Sequence, residues 1–207
     1  LSDKTTVLNT YGPISEWDTS TVTDMHELFN GKESFNDDIS GWDTSSVIWC
    51  YNMFSGCTAF NQDIGSWKTS SITHCYSMFS GCTAFNQDIG GWDTSSFIHC
   101  YSMFYGCQNF NNGDNNNQIE HWNLSSIGKG TDVCNFSSMF EGAVAFTRDI
   151  RSWTMPDPTL TFNFDNMFLG ADMTLGIYQN ANGWEDLSTG TPTIEFFNRK
   201  MFFSIPK

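Results

Sequence analysis

Large apolar residues recur along the chain at a regular interval, and the stretches between them are rich in asparagine, serine, threonine and aspartate. A Met-Phe or Leu-Phe pair recurs with this interval, and so does a phenylalanine that an isoleucine follows four residues later. Self-similarity with a period of about 20–50 residues is typical of repeat proteins. The tryptophans mark the interval, first 25 and later 30 or 31 residues, at Trp17, Trp42, Trp67, Trp92, Trp122, Trp153 and Trp184.

The apolar spacing within one repeat predicts a short helix. Apolar residues in the segment 47–57 fall at i, i+3, i+7 and i+10, which is the stripe of a helix that packs on one side. Ser46 supplies a hydroxyl for the first turn, and Gly56 lies where a left-handed residue commonly ends a helix. The segment 60–67, FNQDIGSW, is too polar and too broken by glycine for a helix. We expect this segment to be extended and to pair through its backbone with the neighbouring repeat.

Stacking of the repeats supplies the core, because one repeat of this size is unable to bury its own apolar face. We therefore predict an α/β repeat fold, a solenoid of about seven coils, each with a short extended segment and a short helix. No linker or shift of composition divides the chain, so residues 1–207 are treated as one domain. Its expected parts are an N-terminal partial cap at 1–16, repeat units at 17–152, and degenerate C-terminal units with a cap at 153–207.

The best-preserved repeats share the motifs W-D-T-S-S-V, M-F-x-G-C and F-N-x-D-I. In these motifs the chain resembles the BspA-like leucine-rich-repeat surface proteins, and more narrowly the Mycoplasma-lipoprotein-associated bacterial surface protein repeat. The resemblance covers residues 8–170 and is specific in the four middle units. It implies a leucine-rich-repeat-like solenoid that is secreted or held on a cell surface and serves adhesion or protein contact. It brings no shared catalytic residues.

Composition narrows the classes of function. The formal net charge of −14 gives no electrostatic footprint for binding nucleic acid or an anionic membrane surface. Aromatic residues make up 16% of the chain, which is enough to build a large core and excludes a disordered protein. No stretch approaches the roughly 18 apolar residues of a membrane-spanning helix, so we predict no transmembrane segment.

Catalytic motifs such as a Gly-x-Ser-x-Gly elbow do not occur in the sequence. Residues that recur once per repeat are explained by stacking, whereas a catalytic residue should interrupt the recurring pattern. We therefore expect a protein that is not an enzyme and needs no cofactor. The leading hypothesis is an extracellular or cell-surface module that binds other proteins or cell-surface glycans. The alternative is a structural accessory subunit held permanently in a larger assembly, for example in an organelle lumen.

Equivalent residues of adjacent repeats are about 4.8 Å apart where the backbone is extended, so recurring residues should form ladders. An asparagine ladder would satisfy backbone groups in the turns, because an amide both donates and accepts. The cysteines are interpreted either as buried reduced thiols or as inter-repeat disulfides, and no C-x-x-C spacing predicts a metal site. The predicted ladders are Trp17, Trp42, Trp67, Trp92, Trp122 and Trp153, then Asn36, Asn61 and Asn86, then Cys57, Cys82 and Cys107.

An aromatic strip beside the apolar stripe is the predicted binding surface. Aromatic residues presented in consecutive repeats form a surface that proteins and sugars bind. Packing at the edge of the core is the alternative interpretation for the tyrosines. Columns of aspartate, which either cap turns or hold a cation or a basic partner, are the second candidate surface. The strip comprises Trp49, His74 and His99 together with Tyr51, Tyr76 and Tyr101.

Two sequons, Asn-Leu-Ser at Asn123 and Asn-Phe-Ser at Asn135, predict glycosylation if the protein is exported by a eukaryotic cell. Asn123 aligns with a column of turn aspartates, and Asn135 aligns with the column of Trp49, His74 and His99. We expect both side chains to be accessible.

Overall fold

The computed structural model describes residues 9–114, 117–131, 133–171 and 190–197. Several sequence-based predictions fall outside these residues. They are the parts of the predicted caps at 1–8 and 198–207, and the last tryptophan of the series, Trp184.

Regular helices and strands are few and short. The chain forms 3₁₀ helices at Ile14–Glu16, Asn112–Asp114, Asn117–His121 and Ile194–Phe197. Two strands, β1 (Val133–Asn135) and β2 (Thr161–Asn163), pair in parallel. Their register places Val133 opposite Thr161, Cys134 opposite Phe162 and Asn135 opposite Asn163. None of the helices in the described part of the chain has the length and apolar character needed to cross a membrane.

Backbone hydrogen bonds between residues 24 positions apart join successive repeats. Alternate N–H groups of one repeat donate to alternate carbonyls of the next, and most of this bonding lies outside β1 and β2. Between residues 50–56 and 74–80 these bonds all run in one direction, unlike those of parallel strands, in which each strand both donates to and accepts from its neighbour. The bonds from the second repeat to the third run from Cys50 to His74 (3.0 Å), Asn52 to Tyr76 (3.1 Å), Phe54 to Met78 (2.9 Å) and Gly56 to Ser80 (2.7 Å).

The segment 47–57 does not form the predicted helix; most of it is a series of turns. The N–H groups that do not reach the next repeat bond three residues back, as from Met53 to the Cys50 carbonyl at 3.2 Å. Asn52 has a φ of 54° and Gly56 a φ of 75°, both in the left-handed region. These positive φ values turn alternate peptide groups towards the neighbouring repeat, which is incompatible with continuous helical bonding.

The segment 60–67 also differs from its prediction, because side chains rather than paired backbones join it to the previous repeat. The Asn36 Oδ1 accepts the Asn61 N–H at 2.8 Å. The Gln62 Nε2 donates to the Asn36 carbonyl at 2.9 Å, and the Trp67 Nε1 donates to the Ile39 carbonyl at 3.2 Å. Side-chain amides that bridge the two repeats therefore take the place of direct backbone pairing in this segment.

Columns of stacked aromatic rings fill the core. Phe54 and Phe79 have ring centroids 5.6 Å apart, and Phe79 and Phe104 follow at 5.7 Å, with the planes within 8° of parallel. A second phenylalanine column runs beside this one, and within a repeat Phe54 and Phe60 are stacked at 4.0 Å. All these rings are fully buried. Each ring therefore contacts the repeats on both sides, which ties the core to the backbone register.

Phe85→Ala should cost more stability than Phe35→Ala, although the two residues occupy the same column. Phe85 is fully buried between Phe60 and Phe110, whose centroids are each 5.8 Å away. Its truncation should lower the free energy of unfolding by about 3–5 kcal/mol. Phe35 is only partly buried and stacks on a following ring alone in its column, so its truncation should cost less. Equilibrium unfolding in urea measures both changes, and equal losses would contradict a core built by stacking.

Candidate functional site

Each repeat contains one segment that is hydrogen-bonded through its backbone to the repeats on both sides, and we call this segment a rung; residues 48–56 form the rung of the second repeat. The predicted strip lies on consecutive rungs, which these backbone bonds hold in register. Parallel bridges join Trp49 to His74 and His74 to His99. The Cys50 N–H donates to the His74 carbonyl at 3.0 Å, and the Cys75 N–H donates to the His99 carbonyl at 2.9 Å. Because the two cysteine side chains are buried, the residues on either side of them face outward.

Trp49 is the most accessible aromatic residue of the strip, with 40% of its surface exposed. In the described part of the chain no aromatic ring stacks on its indole. His74 and His99 are partly buried, with ring centroids 4.8 Å apart and planes inclined by 57°. Burial, and then the neighbouring His99, lowers the pKa of His74. His74 is therefore neutral at physiological pH, and the Thr73 hydroxyl lies 2.7 Å from its Nδ1.

The tyrosines form a continuous stack with His26. Successive centroid distances from His26 through Tyr51 and Tyr76 to Tyr101 are 4.8, 4.7 and 4.8 Å, and the planes lie within 19° of parallel. The ring faces of Tyr51 and Tyr76 are covered on both sides by the neighbouring rings, so these two residues present ring edges and hydroxyl groups. Burial and the adjacent tyrosines raise the pKa of Tyr76. The tyrosine column therefore presents mainly ring edges beside the accessible indole of Trp49.

The aspartate columns cap turns in a repeated way. The Asp43 Oδ1 accepts the Ser45 N–H at 3.1 Å, and the Asp93 Oδ1 accepts both the N–H and the hydroxyl of Ser95. Hydrogen bonds from the serine hydroxyl and backbone lower the pKa of both carboxyl groups. These bonds hold one oxygen of each carboxylate in its own turn. No group of three His, Cys, Asp or Glu side chains suited to a metal ion occurs in the described part of the chain.

The cysteines are reduced thiols buried between repeats, all seven of them unpaired. The Sγ atoms of Cys57 and Cys82 donate to the carbonyls of Phe29 and Phe54 at 3.0 and 2.9 Å, and the Sγ of Cys107 continues this column to Phe79 at 2.8 Å. Burial raises the pKa of Cys57 to about 11, and it raises the pKa of Cys82 and Cys107 further. Each thiol is therefore protonated at neutral pH and fills the space of a small apolar group.

The asparagine and tryptophan ladders bridge adjacent repeats. The Asn61 and Asn86 Oδ1 atoms each accept the N–H of the next asparagine in the column at 2.8 Å. The indole nitrogens donate to isoleucine carbonyls 28 or 34 residues earlier, and the described part contains no partner for those of Trp17 and Trp122. The indole bonds are Trp42 to Ile14 (2.8 Å), Trp67 to Ile39 (3.2 Å), Trp92 to Ile64 (3.0 Å) and Trp153 to Ile119 (2.7 Å).

The two sequon asparagines are half-buried, and their side-chain oxygens cap turns. The Asn123 Oδ1 accepts the Ser125 N–H at 3.1 Å, and the Asn135 Oδ1 accepts the Ser137 N–H at 3.0 Å. Asn123 also forms a parallel bridge with Thr154. Their glycosylation stays a prediction.

Comparison with known proteins identifies the family of this chain. A family model described as "Mycoplasma protein of unknown function, DUF285" matches residues 2–117 and 113–203, which together span nearly the whole chain. The chain belongs to the DUF285 family. No curated protein and no solved structure matches it. Since the family carries no assigned function, the function of this DUF285 chain must be argued from its own surfaces.

Sequence analysis missed the left-handed residues that shape the rungs of this DUF285 chain. They are small or polar, and the signal that might have revealed them is a column of Asn or Ser at the centre of a supposed helix. Sequence analysis also missed a cavity of about 980 Å³ at the N-terminal end of the stack, which no repeated motif marks. The left-handed residues are Glu27, Asn52, Ser77, Ser102, Ser138 and Asn166, with φ between 53° and 56°.

The thiols of the DUF285 chain should resist alkylation until the protein unfolds. With the pKa of Cys57 near 11, almost none of this thiol is the reactive thiolate at pH 8. Iodoacetamide followed by mass spectrometry should modify no cysteine in native buffer and all seven in guanidinium chloride. Cysteines that stay unmodified in denaturant but react after reduction would reveal disulfides and contradict the structure.

Turn carboxylates should make the stability of the DUF285 chain fall in acid. The pKa values of Asp18, Asp43 and Asp93 are lower in the folded state, so their contribution is present above the ordinary carboxyl pKa of about 3.9. It is lost as the pH falls through the folded pKa values. Asparagine keeps the capping oxygen, as Asn123 shows, and does not titrate.

A triple variant, Asp18→Asn, Asp43→Asn and Asp93→Asn, should therefore lose less stability than the wild type between pH 5 and pH 2. Urea unfolding across this range measures the difference. Identical profiles for the two proteins would show that the three carboxyl groups do not link stability to pH.

Proposed function

We propose that this chain is a non-catalytic binding module, a leucine-rich-repeat-like solenoid that holds a partner protein on its aromatic strip at a cell surface or outside the cell. One observation carries the proposal, namely the bridged register that presents Trp49, His74 and His99 from consecutive repeats. A family-level resemblance to surface repeat proteins points in the same direction.

Rigidity of the strip supports a binding role. The Trp49 carbonyl accepts the Met25 N–H at 2.8 Å, and the His74 carbonyl accepts the Cys50 N–H at 3.0 Å. The cysteine that follows each of these two residues is buried in the core. A partner that binds this surface therefore meets side chains whose backbone is already ordered, which reduces the entropy cost of association. Tryptophan is the residue type most often found to dominate binding energy, and Trp49 is exposed in this strip.

A protein partner fits the strip better than a glycan. Sugars bind aromatic side chains chiefly by stacking on the ring face. In the tyrosine column these faces are covered by neighbouring rings about 4.8 Å away. Ring edges, hydroxyl groups and one accessible indole together make an amphipathic surface of the kind found in protein interfaces. A cell-surface glycan is the second candidate and would have Trp49 as its main stacking platform.

An accessory subunit of a larger assembly, for example in an organelle lumen, is the second candidate function. The observation that favours it is an apolar cavity beside the first described repeat, lined by Trp17, Phe29 and Phe35. Co-isolation with other subunits in fixed stoichiometry would support this role. Recovery of the chain alone as a soluble monomer would support the independent binding module.

A matched pair of triple variants tests the binding strip. Trp49→Ser, His74→Ser and His99→Ser in one chain should reduce the partner retained from native extract at least about tenfold, as expected when an interface anchor is lost. The melting temperature should change little, because these side chains lie outside the core. Quantitative mass spectrometry of the retained proteins is the measurement.

The control variant carries Asp38→Asn, Asp63→Asn and Asp88→Asn. It removes charge from the turn edge and keeps the capping oxygens, so it should retain the partner as the wild type does. Binding that survives loss of the aromatic strip but fails in this control would place the binding surface on the aspartate columns instead.

A further inference from the structure

Two histidines lie side by side on the aromatic strip. His74 and His99 occupy the same position of consecutive rungs, which a parallel bridge joins, and their ring centroids are 4.8 Å apart. The described part of the chain places no carboxylate within 4.0 Å of either imidazole, whereas the other two histidines, His26 and His121, each have one. The pair is therefore a cluster of nitrogen donors alone.

The hydroxyl group of Thr73 fixes the position of the proton on the His74 ring. This hydroxyl lies 3.2 Å from the Ile48 carbonyl, which only accepts, and 2.7 Å from the His74 Nδ1. A hydroxyl has one hydrogen, so both contacts are hydrogen bonds only if it donates to the carbonyl and accepts from the Nδ1–H. The Nε2 of His74 then carries the free lone pair. Histidines that bind metal ions in proteins are usually oriented by such a bond from their other ring nitrogen.

The lone pair is available at neutral pH. Burial, and then the neighbouring His99, lowers the pKa of His74, so this ring is uncharged, as a metal ligand must be. The closeness that disfavours two imidazolium charges favours one shared cation that coordinates both rings. The net charge of −14 also raises the concentration of cations around the chain.

The spacing and inclination of the two rings suit a shared ion. When each nitrogen lies about 2.1 Å from a metal and the angle at the metal is roughly 90–109°, the ring centroids are about 4.5–5.2 Å apart. The observed 4.8 Å falls within this range. The ring planes are inclined by 57°, and lone pairs that lie in inclined planes can converge on one point. In the tyrosine column the planes are within 10° of parallel, so groups in those planes do not converge.

We propose that His74 and His99 bind one divalent transition-metal ion of the Zn²⁺ class through one nitrogen of each ring. Imidazole suits zinc, copper and nickel, whereas calcium and magnesium require several oxygen ligands. Two protein ligands leave two positions of a tetrahedral shell for water. The chain alone binds the ion, so the proposal does not rest on the proposed protein partner, although it uses the same strip.

The neighbouring thiols take no part in this site. Cys75 and Cys100 follow the two histidines in the sequence and are completely buried, so they lie on the core side of the rungs. Burial raises the pKa of both thiols, and a protonated thiol is a poor metal ligand. The imidazoles are therefore the ligands that this part of the strip offers.

Calorimetric titration of the full chain with Zn²⁺ measures the site. One ion should bind per chain, and Ca²⁺ at the same concentration should not bind. In nitrogen-15 spectra of the histidine rings, His74 should carry its proton on Nδ1 before Zn²⁺ is added. The ring signals of His74 and His99 should shift with Zn²⁺, and those of His26 and His121 should stay in place.

Histidine variants locate the ligands. His74→Gln and His99→Gln should each weaken Zn²⁺ binding at least about tenfold, because loss of a group that merely orients a ligand already costs about 10–100-fold in metal affinity. The matched control carries His26→Gln and His121→Gln and should bind Zn²⁺ as the wild type does. Circular dichroism checks that all variants are folded.

Thr73 is a positioning residue, and a pair of variants tests its role. Thr73→Val keeps the shape of the side chain but removes the oxygen that accepts the Nδ1–H, so it should weaken Zn²⁺ binding about tenfold. Thr73→Ser keeps the hydroxyl and should bind as the wild type does.

Three outcomes would overturn the proposal. They are Zn²⁺ affinity that is unchanged in both His74→Gln and His99→Gln, a His74 ring that carries its proton on Nε2, and equal affinity for Ca²⁺. Trp49→Ser separates the proposal from the proposed function, since it removes the indole and no metal ligand. It should keep the Zn²⁺ affinity while it reduces the protein partner retained from extract.

Discussion

The register of the inter-repeat hydrogen bonds is the constraint on which the rest of this structure depends. Alternate N–H groups of one repeat must meet carbonyls of the next, and a slip of one residue would unpair a whole rung. The insertion in the fourth repeat leaves most of the following rung in register. After the extra residues that follow Phe110, the Ser102 N–H still reaches the Ser137 carbonyl at 2.9 Å. At the insertion itself, the Asn112 Oδ1 accepts the Ile89 N–H at 2.9 Å.

Core and surface both follow from that register. Because equivalent residues are superposed, the phenylalanines at positions 54, 79, 104 and 140 form a column with ring spacings of 5.4–5.7 Å. The tyrosines form a second column with spacings near 4.8 Å. The same superposition explains why the glycine column is needed, since its members have positive φ and approach one another closely. An outward position such as that of Trp49 is then presented on a backbone that does not need to be ordered by the partner.

Sequence analysis could predict which residues share a column but not the backbone conformation between them. The spacings of the tryptophans and phenylalanines directly give the length of the repeat and the positions that are equivalent in successive repeats. The apolar stripe within 47–57 predicts a helix, but burial at every third or fourth residue suits a series of turns equally well. The deciding feature is the left-handed conformation of Asn52, and asparagine adopts it at a cost that no apolar pattern records.

Scalar couplings across hydrogen bonds provide the most direct test of the register. In nuclear magnetic resonance spectra, the amide nitrogen of Phe79 should couple to the carbonyl carbon of Met103, because its N–H reaches that carbonyl at 3.0 Å. The amide of Gly81 should couple in the same way to Tyr105, at 2.7 Å. Coupling of Phe79 to the carbonyl of Cys75, four residues earlier, would instead show a helix and contradict the account.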